Sequence, residues 1–104
     1  MDEYRRPEYD FSNKVVLITG GTGALGRAIT QAFVACKSAV ISSYIDDNEI
    51  NRLETGIKSS VQLIKSDISK EEEVKSLVSD TLSRYGRIHI LVNVVGGYIG
   101  GNGV

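Results

Sequence analysis

The stretch Thr19-Gly20-Gly21-Thr22-Gly23-Ala24-Leu25-Gly26, called the glycine turn below, decides the fold of this chain. Before it lies the apolar, β-branched run 14–18, which predicts a buried parallel strand. After it, apolar residues recur at helical spacing at positions 25, 28, 29, 32, 33 and 36. The glycines therefore occupy a strand-to-helix turn, where free helix N–H groups attract an anion and glycine lets a phosphate approach the backbone. A tight turn that binds nothing is the alternative.

Composition and charge argue against several classes of protein. The 104 residues carry a formal net charge of −1 with the two signs interspersed, so we expect no nucleic-acid surface and no membrane-binding face. The single cysteine, Cys36, cannot form an internal disulfide, which fits a reducing compartment, and we expect it to be a buried small hydrophobe. Residues 1–7 lack a hydrophobic signal core, and no segment has the length that spans a bilayer. We therefore expect a cytoplasmic protein.

Strand and helix signals alternate along the rest of the chain. The predicted strands are residues 14–19, 38–44, 61–65 and 88–95. The predicted helices are residues 24–35, a short helix opened by Asp46 and ended by Gly56, and a helix that follows Ser69 and stops at Gly86. Asp46 with Glu49, and Ser69 with Glu72, have the spacing of a capping box.

This alternation requires a parallel sheet with right-handed crossovers and helices that can cover both faces. We therefore predict a Rossmann-like, doubly wound α/β domain at residues 14–95, with four strands in the order 3-2-1-4 and three helices. That order places the glycine turn at the switch point, the crevice where such sheets bind ligands. A polar lead at residues 1–13 precedes the domain, and a Gly-rich flexible tail at residues 96–104 follows it.

Three segments besides the glycine turn extend the pattern: residues 14–20, Ser66-Asp67-Ile68-Ser69, and residues 85–93. In their order and spacing, they resemble the N-terminal, cofactor-binding half of a short-chain dehydrogenase/reductase. The glycine pattern of that family reads Thr-Gly-x-x-x-Gly-x-Gly, whereas Ala24 holds the sixth place here and Gly23 gives a spacing closer to the extended, epimerase-like branch.

The fourth strand favours the main branch of the family. Asn93 is similar to the first residue of the Asn-Asn-Ala-Gly signature of that branch. Val94 and Val95 stand where the signature has its second Asn and its Ala, which is a departure at the support of the cofactor ribose. We assign the chain to the main branch.

The resemblance implies a role for each matching residue. It places five residues of the glycine turn along the pyrophosphate and nicotinamide side of a dinucleotide: Gly20, Thr22, Gly23, Leu25 and Gly26. It places Asp67 and Ile68 beside the adenine, with the carboxylate accepting from the adenine amino group, and Asn93 at the ribose or tying neighbouring backbone together. The alternatives are that Asp67 is an ordinary turn or capping residue and that Asn93 only hydrogen-bonds backbone.

The choice between NAD and NADP depends on the end of the second strand. A carboxylate there accepts from the ribose 2′-OH of NAD, whereas a basic side chain favours the 2′-phosphate of NADP. Residues 43–45 (Ser-Tyr-Ile) are neither, and the following Asp46 and Asp47 give a slight preference for NAD. Both aspartates are equally explained as caps of the next helix, so the choice stays open.

The catalytic residues of the family have no counterpart in these 104 residues. Family members carry a catalytic Ser, a Tyr-x-x-x-Lys pair and a helical Asn downstream of the fourth strand, with Tyr as general acid/base and Lys lowering its pKa. None of the five tyrosines has a lysine four positions later. They are Tyr4, Tyr9, Tyr44, Tyr85 and Tyr98. No nucleophile and no orienting residue can be assigned to His89 from the sequence, so we do not expect it to be catalytic. No spacing of Cys or His residues indicates a metal site. We expect no catalytic residue in this chain and no hydride transfer by it alone.

The resemblance implies that the chain is the NAD(P)-binding portion of an oxidoreductase. Two other hypotheses stay open. One is a non-catalytic dinucleotide-binding or oligomerisation module, and the other is a truncated remnant that binds nothing. The apolar fourth strand adds a prediction about assembly, because an unpaired apolar edge is a template for another chain. We expect a homo-oligomer that forms through the strand-four edge or the adjacent helix.

Overall fold

The computed structural model describes residues 10–94. Its elements, in chain order, are β1 (Val15–Thr19), α1 (Ala24–Ala35), β2 (Ala39–Tyr44), α2 (Asp47–Asn51), α3 (Thr55–Ser60), β3 (Val61–Lys65), α4 (Glu71–Tyr85) and β4 (Ile90–Asn93). The strands form one four-stranded sheet in the order β3-β2-β1-β4, and every pairing is parallel. The predicted α/β fold and strand order are confirmed.

Both faces of the sheet are covered, as the doubly wound prediction requires. On one face, Val16 and Ile18 of β1 are fully buried and pack with Val40 against a helical layer that includes Ile29 and Phe33 of α1. On the other face, alternate residues of the same strands pack against α4, namely Val15, Leu17 and Ile41 against Leu77. Each fully buried aliphatic side chain of this kind contributes about 1.5–3 kcal/mol to stability. β1 is apolar from Val15 to Ile18, as expected for a strand that helices cover on both faces.

The segment between β2 and β3 corrects the predicted count of helices. It forms two short helices, so the described residues contain four helices where we predicted three. α2 begins after Asp46, whose side chain accepts from the backbone N–H of Asn48 at 2.9 Å. Gly56 does not end a helix but lies at the second position of α3.

The start of α4 also differs from the prediction. The N-cap is Lys70 rather than Ser69, and no side chain caps the helix. Ser69 instead donates its hydroxyl to Asp67 Oδ1 at 2.6 Å, which engages it in the preceding turn. The predicted end is right, because Gly86 takes the left-handed conformation, with φ of 84°, that glycine adopts readily at a helix end.

The inward face of α1 is narrower than the predicted apolar stripe. Ile29 and Phe33 pack on the sheet, whereas Leu25 is 65% exposed at the first turn of the helix. Cys36 is the C-cap of α1 and is half-buried, not fully buried as predicted. Phe11 of the predicted polar lead packs against Phe33 with ring centroids 6.1 Å apart. Most of that lead and the whole Gly-rich tail lie outside the described residues, as does Val95.

β4 is shorter than its apolar run suggests, and it is an edge strand of the described sheet. His89 precedes it and is tied to the start of β1 by two hydrogen bonds. The backbone N–H of Val15 donates to His89 Nδ1, and the N–H of His89 donates to the carbonyl of Val15, both at 2.9 Å. This histidine joins two strands at the amino-terminal edge of the sheet, opposite the glycine turn.

Candidate functional site

Three of the four glycines of the glycine turn are required by the fold itself, and a Cβ at one of them, Gly21, would lie 2.7 Å from the buried Thr30 Oγ1. Gly20 has a φ of 75°, and a Cβ atom there would lie 2.8 Å from the carbonyl oxygen of Val94. A Cβ at Gly26 would overlap the carbonyl oxygen of Gly20 and lie 2.7 Å from Gly21 Cα. The turn passes so close to β4 and to α1 that none of these positions has room for a side chain. These glycines are explained without any ligand.

Gly23 is different, because nothing in the fold requires a glycine there. It is the N-cap of α1 with φ of −76° and ψ of −178°, a conformation open to any residue. A Cβ there would meet only one atom within 4 Å, Glu49 Oε2 at 3.9 Å. The lack of a side chain leaves the N-terminus of α1 uncovered, and no side chain caps that helix. The first backbone N–H groups of α1 can therefore donate to an anion.

Buried polar side chains form hydrogen bonds with the backbone of the glycine turn. The N–H of Gly20 donates to Ser43 Oγ at 3.1 Å, and the hydroxyl of Thr30 donates to the carbonyl of Gly21 at 3.1 Å. Ser43 and Thr30 are each at most 2% exposed. Ser43 lies at the end of the second strand, where a side chain that selects between NAD and NADP is expected. Its hydroxyl holds the glycine turn in place instead.

Thr22 and Leu25 take opposite positions in the turn. Thr22 is fully buried, and its hydroxyl donates to Glu49 Oε1 at 2.6 Å. Leu25 projects from the first turn of α1 and is among the most exposed apolar residues of the described chain. Of the predicted contact residues in the turn, Leu25 is exposed, Gly20 and Gly23 are half-buried, and Thr22 and Gly26 are buried.

Asn93 lies at the carboxyl end of β4, directly beside the end of β1. It pairs in register with Thr19, whose hydroxyl donates to Asn93 Oδ1 at 2.5 Å. This bond ties the two strand ends together next to the glycine turn through two side chains, whereas the predicted partner of Asn93 was the ribose or neighbouring backbone. The amide nitrogen is the donor group of the Asn93 side chain, and it can donate to a ligand while the oxygen accepts from Thr19.

Asp67 and Ile68 follow the carboxyl end of β3. The backbone N–H of Ser69 donates to Asp67 Oδ1 at 3.0 Å, in addition to the hydroxyl bond described above. The donated Ser69 hydroxyl, followed by this N–H, lowers the pKa of Asp67 below its ordinary value. The Asp67 side chain therefore organises a turn, which was the alternative to adenine binding. Its other oxygen, Oδ2, can still accept a hydrogen bond, and Ile68 is 38% exposed beside it.

The topology brings these groups to one edge of the sheet. The glycine turn, Asp67 and Asn93 each follow or end a parallel strand, and the carboxyl ends of parallel strands meet at the same edge. From β3 to β4 the edge extends across three strand spacings, roughly 14 Å. The candidate site is thus a row of polar groups centred on the glycine turn.

Glu49 is the residue of this site that sequence reasoning missed. We noted it only as the second member of a capping box, whereas its side chain leaves α2 and hydrogen-bonds to Thr22. The two aspartates that we considered for cofactor choice face elsewhere. Asp46 caps α2, and Asp47 forms an ion pair with Lys65 at 3.1 Å. An acidic residue about twenty positions after the glycine turn is a signal in such folds, but Asp46 and Asp47 fit that spacing better than Glu49, so the spacing does not single out Glu49.

Other kinds of site find less support among residues 10–94. No group of three or more metal-ligating side chains is present in this part of the chain. An open groove of about 670 Å³ lies between β3 and α4, and its lining includes Ser66, Ser76 and Asp80. The groove borders the edge strand β3, which is two strands away from β1 and the glycine turn that follows it. No helix within the described range is long and apolar enough to cross a membrane.

Comparison with known proteins decides the family. The sequence profile that describes short chain dehydrogenases matches residues 14–103. The chain belongs to the short-chain dehydrogenase family. Members of this family use nicotinamide dinucleotides as cofactors.

Individual relatives agree with that assignment. L-fucose dehydrogenase of Oryctolagus cuniculus is 34% identical over 88 residues, which are 85% of this chain and 31% of that protein. The L-fucose dehydrogenase of Mus musculus is 37% identical over 86 residues, which are 83% of this chain and 31% of that protein. The chain therefore spans about a third of the length of these curated relatives.

Solved structures show the same fold. A short-chain dehydrogenase/reductase of Brucella melitensis, described as a glucose/ribitol dehydrogenase, superposes with a TM-score of 0.78 at 26% identity. The superposition covers 88% of this chain and 40% of that one. A hydroxysteroid dehydrogenase of Escherichia coli gives a TM-score of 0.76 at 27% identity over 86% of this chain and 39% of that one.

Proposed function

We propose that this chain is the NAD(P)-binding portion of a short-chain dehydrogenase/reductase-type oxidoreductase. The observation that carries the proposal is the open space at Gly23, in front of a helix N-terminus that no side chain caps. The close contacts around Gly20 and Gly26 explain those glycines by packing alone, but packing does not explain Gly23. A pyrophosphate in that space would accept from the first N–H groups of α1.

The remaining contacts follow from the order of strands along the site edge. We assign the adenine to the β3 side, beside Ile68 and within reach of Asp67 Oδ2. We assign the ribose on the β4 side to the amide nitrogen of Asn93. The exposed Leu25 then lies on the pyrophosphate and nicotinamide side, and Gly20, Thr22 and Gly26 shape the turn from within. When bound, the nicotinamide would supply the hydride-transfer chemistry.

The chain alone is proposed to be catalytically inactive. The Tyr-x-x-x-Lys pair that supplies the general acid/base in the family is absent from these 104 residues. The coding sequence downstream of Val104 separates the two main hypotheses. A Tyr-x-x-x-Lys encoded there supports the cofactor-binding part of an enzyme, and a stop codon directly after Val104 supports a non-catalytic dinucleotide-binding or oligomerisation module.

Self-association is a second part of the proposal. β4 is an edge of the described sheet, and its Leu91 is 63% exposed. An exposed apolar side chain on an unpaired edge favours pairing with a second copy through β4 or the adjacent helix. Sedimentation velocity at micromolar concentration is expected to give a dimer or a larger species, and a monomer would contradict this part.

The single cysteine also supports a cytoplasmic location, which fluorescence imaging of a tagged chain tests.

The binding proposal is tested with two matched glycine variants. NADH and NADPH are titrated separately into the 104-residue chain, and nicotinamide fluorescence is followed. Saturable binding of either cofactor is expected. Gly23→Asp is expected to abolish it, because the new carboxylate would occupy the phosphate position and repel it.

Gly56→Asp is the control for that titration. A Cβ has similar room at both positions, with no atom within 4 Å at Gly56 and only one at Gly23. Gly56, however, lies in α3 rather than in the glycine turn. The control adds the same charge and is expected to bind cofactor like the wild type. Asp is also a favourable N-cap, but its carboxylate would lie close to Glu49 Oε2, so thermal melts of Gly23→Asp establish that the variant is folded before its binding is compared. Failure of the wild type to bind either cofactor at millimolar concentration would contradict the proposal and favour a remnant that binds nothing.

A further inference from the structure

Two buried hydroxyl groups from outside the glycine turn form hydrogen bonds with its backbone. The hydroxyl of Ser43, on β2, accepts from the N–H of Gly20, and the hydroxyl of Thr30, on α1, donates to the carbonyl of Gly21, each at 3.1 Å. Ser43 is 1% exposed and Thr30 is 2% exposed, so bulk water does not compete for either bond. The dipeptide Gly20-Gly21 is thus held at its first N–H and at its last carbonyl.

This dipeptide is the part of the turn with the fewest restraints of its own. Glycine has more conformational freedom to lose than any other residue, and Gly20 already uses it, with φ of 75°. Neither glycine belongs to β1 or α1, so no strand or helix pattern of hydrogen bonds fixes them. Among residues 10–94, the bonds to Ser43 and Thr30 are the only hydrogen bonds of Gly20 and Gly21. The two hydroxyl groups therefore set the orientation of these peptide groups.

We infer that Ser43 and Thr30 are positioning residues of the proposed cofactor site, which hold the Gly20-Gly21 backbone in its binding conformation before a cofactor arrives. The inference rests on the proposed function, since it assigns the source of affinity at that same site. Gly23 and the N-terminus of α1, which we assign to the pyrophosphate, follow this dipeptide closely. A turn that is ordered in advance loses less conformational entropy on binding, so the cofactor is bound more tightly.

Two other buried hydroxyl groups provide matched controls, because they form no bond to the turn. Ser42, also on β2, donates to the carbonyl of Ser43 at 3.2 Å, and Thr81 donates to the carbonyl of Leu77 at 2.8 Å within α4. Both residues are 0% exposed. Ser42 also packs against Gly21, where it fills the space that a Cβ would need. The two controls thus separate a bond to the turn from the burial of a hydroxyl and from packing.

The first measurement is the dissociation constant for NADH or NADPH, whichever the wild-type 104-residue chain binds more tightly, by nicotinamide fluorescence. Ser43→Ala and Thr30→Val each remove one bond to the turn and are each expected to weaken binding about threefold or more. Thr30→Ser keeps the donor and is expected to restore binding to within about twofold of the wild type. Ser42→Ala and Thr81→Val are expected to bind like the wild type. Thermal melts establish that each variant is folded.

The second measurement is the NMR order parameter of the Gly20 and Gly21 amides, with and without cofactor. In the free wild type it is expected to be near that of rigid backbone, about 0.85. In free Ser43→Ala and Thr30→Val it is expected to fall towards about 0.6, and saturating cofactor is expected to raise it again. A general loss of stability would not produce this difference, since it would not be confined to the free turn.

The outcomes separate the inference from the proposed function. Low order of Gly20 and Gly21 in the free wild type that rises with cofactor would overturn the inference without any variant, because the cofactor would then order the turn. Wild-type affinity in folded Ser43→Ala and Thr30→Val would also overturn it. Equal weakening by Ser42→Ala would overturn it as well, since packing would then explain the effect. No binding of either cofactor to a folded wild type would contradict the proposed function, and the inference would fall with it.

Discussion

The hydroxyl of Thr22 and the carboxylate of Glu49 form a 2.6 Å hydrogen bond that joins the glycine turn to α2. Thr22 is fully buried, and Glu49 is half-buried. A hydrogen bond to a charged acceptor in such surroundings is stronger than one between neutral groups. A short helix with few apolar residues is thereby held against the turn that forms the centre of the candidate site.

Removal of the Thr22 hydroxyl is expected to destabilise the fold. In Thr22→Val the shape of the side chain is kept, but a half-buried carboxylate loses its donor, which costs about 1–3 kcal/mol. Thr22→Ser keeps the donor and is expected to cost less. Urea unfolding followed by circular dichroism measures both. A Thr22→Val variant as stable as the wild type would show that Glu49 is satisfied by water in solution.

Two glycine-to-alanine variants test the distinction between glycines that the fold requires and glycines that it does not. Gly26→Ala puts a Cβ against the backbone of Gly20 and Gly21, and we expect a loss of about 1–3 kcal/mol or more. Gly56→Ala meets no atom within 4 Å and lies in a helix, so a gain of up to about 1 kcal/mol is expected. Thermal and urea melts give both values. The account of the turn is wrong if Gly26→Ala is tolerated as well as Gly56→Ala.

The bond between Thr19 and Asn93 predicts an asymmetric double-mutant cycle. Asn93→Ala leaves the hydroxyl of Thr19, a residue that is only 9% exposed, without its partner, and is expected to cost about 1–3 kcal/mol. Thr19→Val leaves an exposed amide that water can solvate, so its cost is expected to be below about 1 kcal/mol. The double variant should be more stable than the sum of the single effects predicts. Additive effects in urea unfolding would mean that the bond contributes nothing in solution.

The carboxyl of Asp67 is expected to titrate below its ordinary value. The Ser69 hydroxyl and N–H stabilise the charged form and lower the pKa of Asp67. A carboxyl whose pKa is lower in the folded state contributes stability above its unfolded-state pKa. That contribution is lost as the pH falls through the folded value, below about pH 4.

Carbon-detected NMR of the Asp67 carboxyl measures that titration directly. Ser69→Ala removes the hydroxyl but leaves the backbone donor, so the pKa of Asp67 is expected to rise part of the way towards its ordinary value. A midpoint at or above the ordinary aspartate value in the wild type would contradict the turn described for residues 67–69.

The sheet and its order were predictable from the sequence because they depend on apolar runs and on the alternation of strands and helices. Residues 61–65 and 24–35, for example, have the predicted bounds. The region between β2 and β3 was not predictable in the same way. Few apolar residues mark a helix there, and the break between α2 and α3 includes the buried Leu53, whose packing no short sequence window specifies.

The candidate site was predicted at the level of its strand ends but not of its side-chain contacts. A motif places the glycines, Asp67 and Asn93 at the carboxyl edge of the sheet. It does not reveal that the oxygen of Asn93 is engaged by Thr19 or that Ser43 supports the turn. Glu49 was missed because a capping-box spacing explained it locally. Its contact with Thr22 depends on how α2 packs, which no short sequence window specifies.

The most direct test of the central claim is a map of amide chemical-shift changes on the uniformly nitrogen-labelled 104-residue chain as NADH is added. The account predicts saturable changes centred on residues 20–26, with further changes at Glu49, Asp67, Ile68 and Asn93 and little change at His89 on the opposite edge of the sheet. Changes confined to the groove between β3 and α4, or no change at millimolar NADH, would contradict the assignment of the glycine turn as the dinucleotide site.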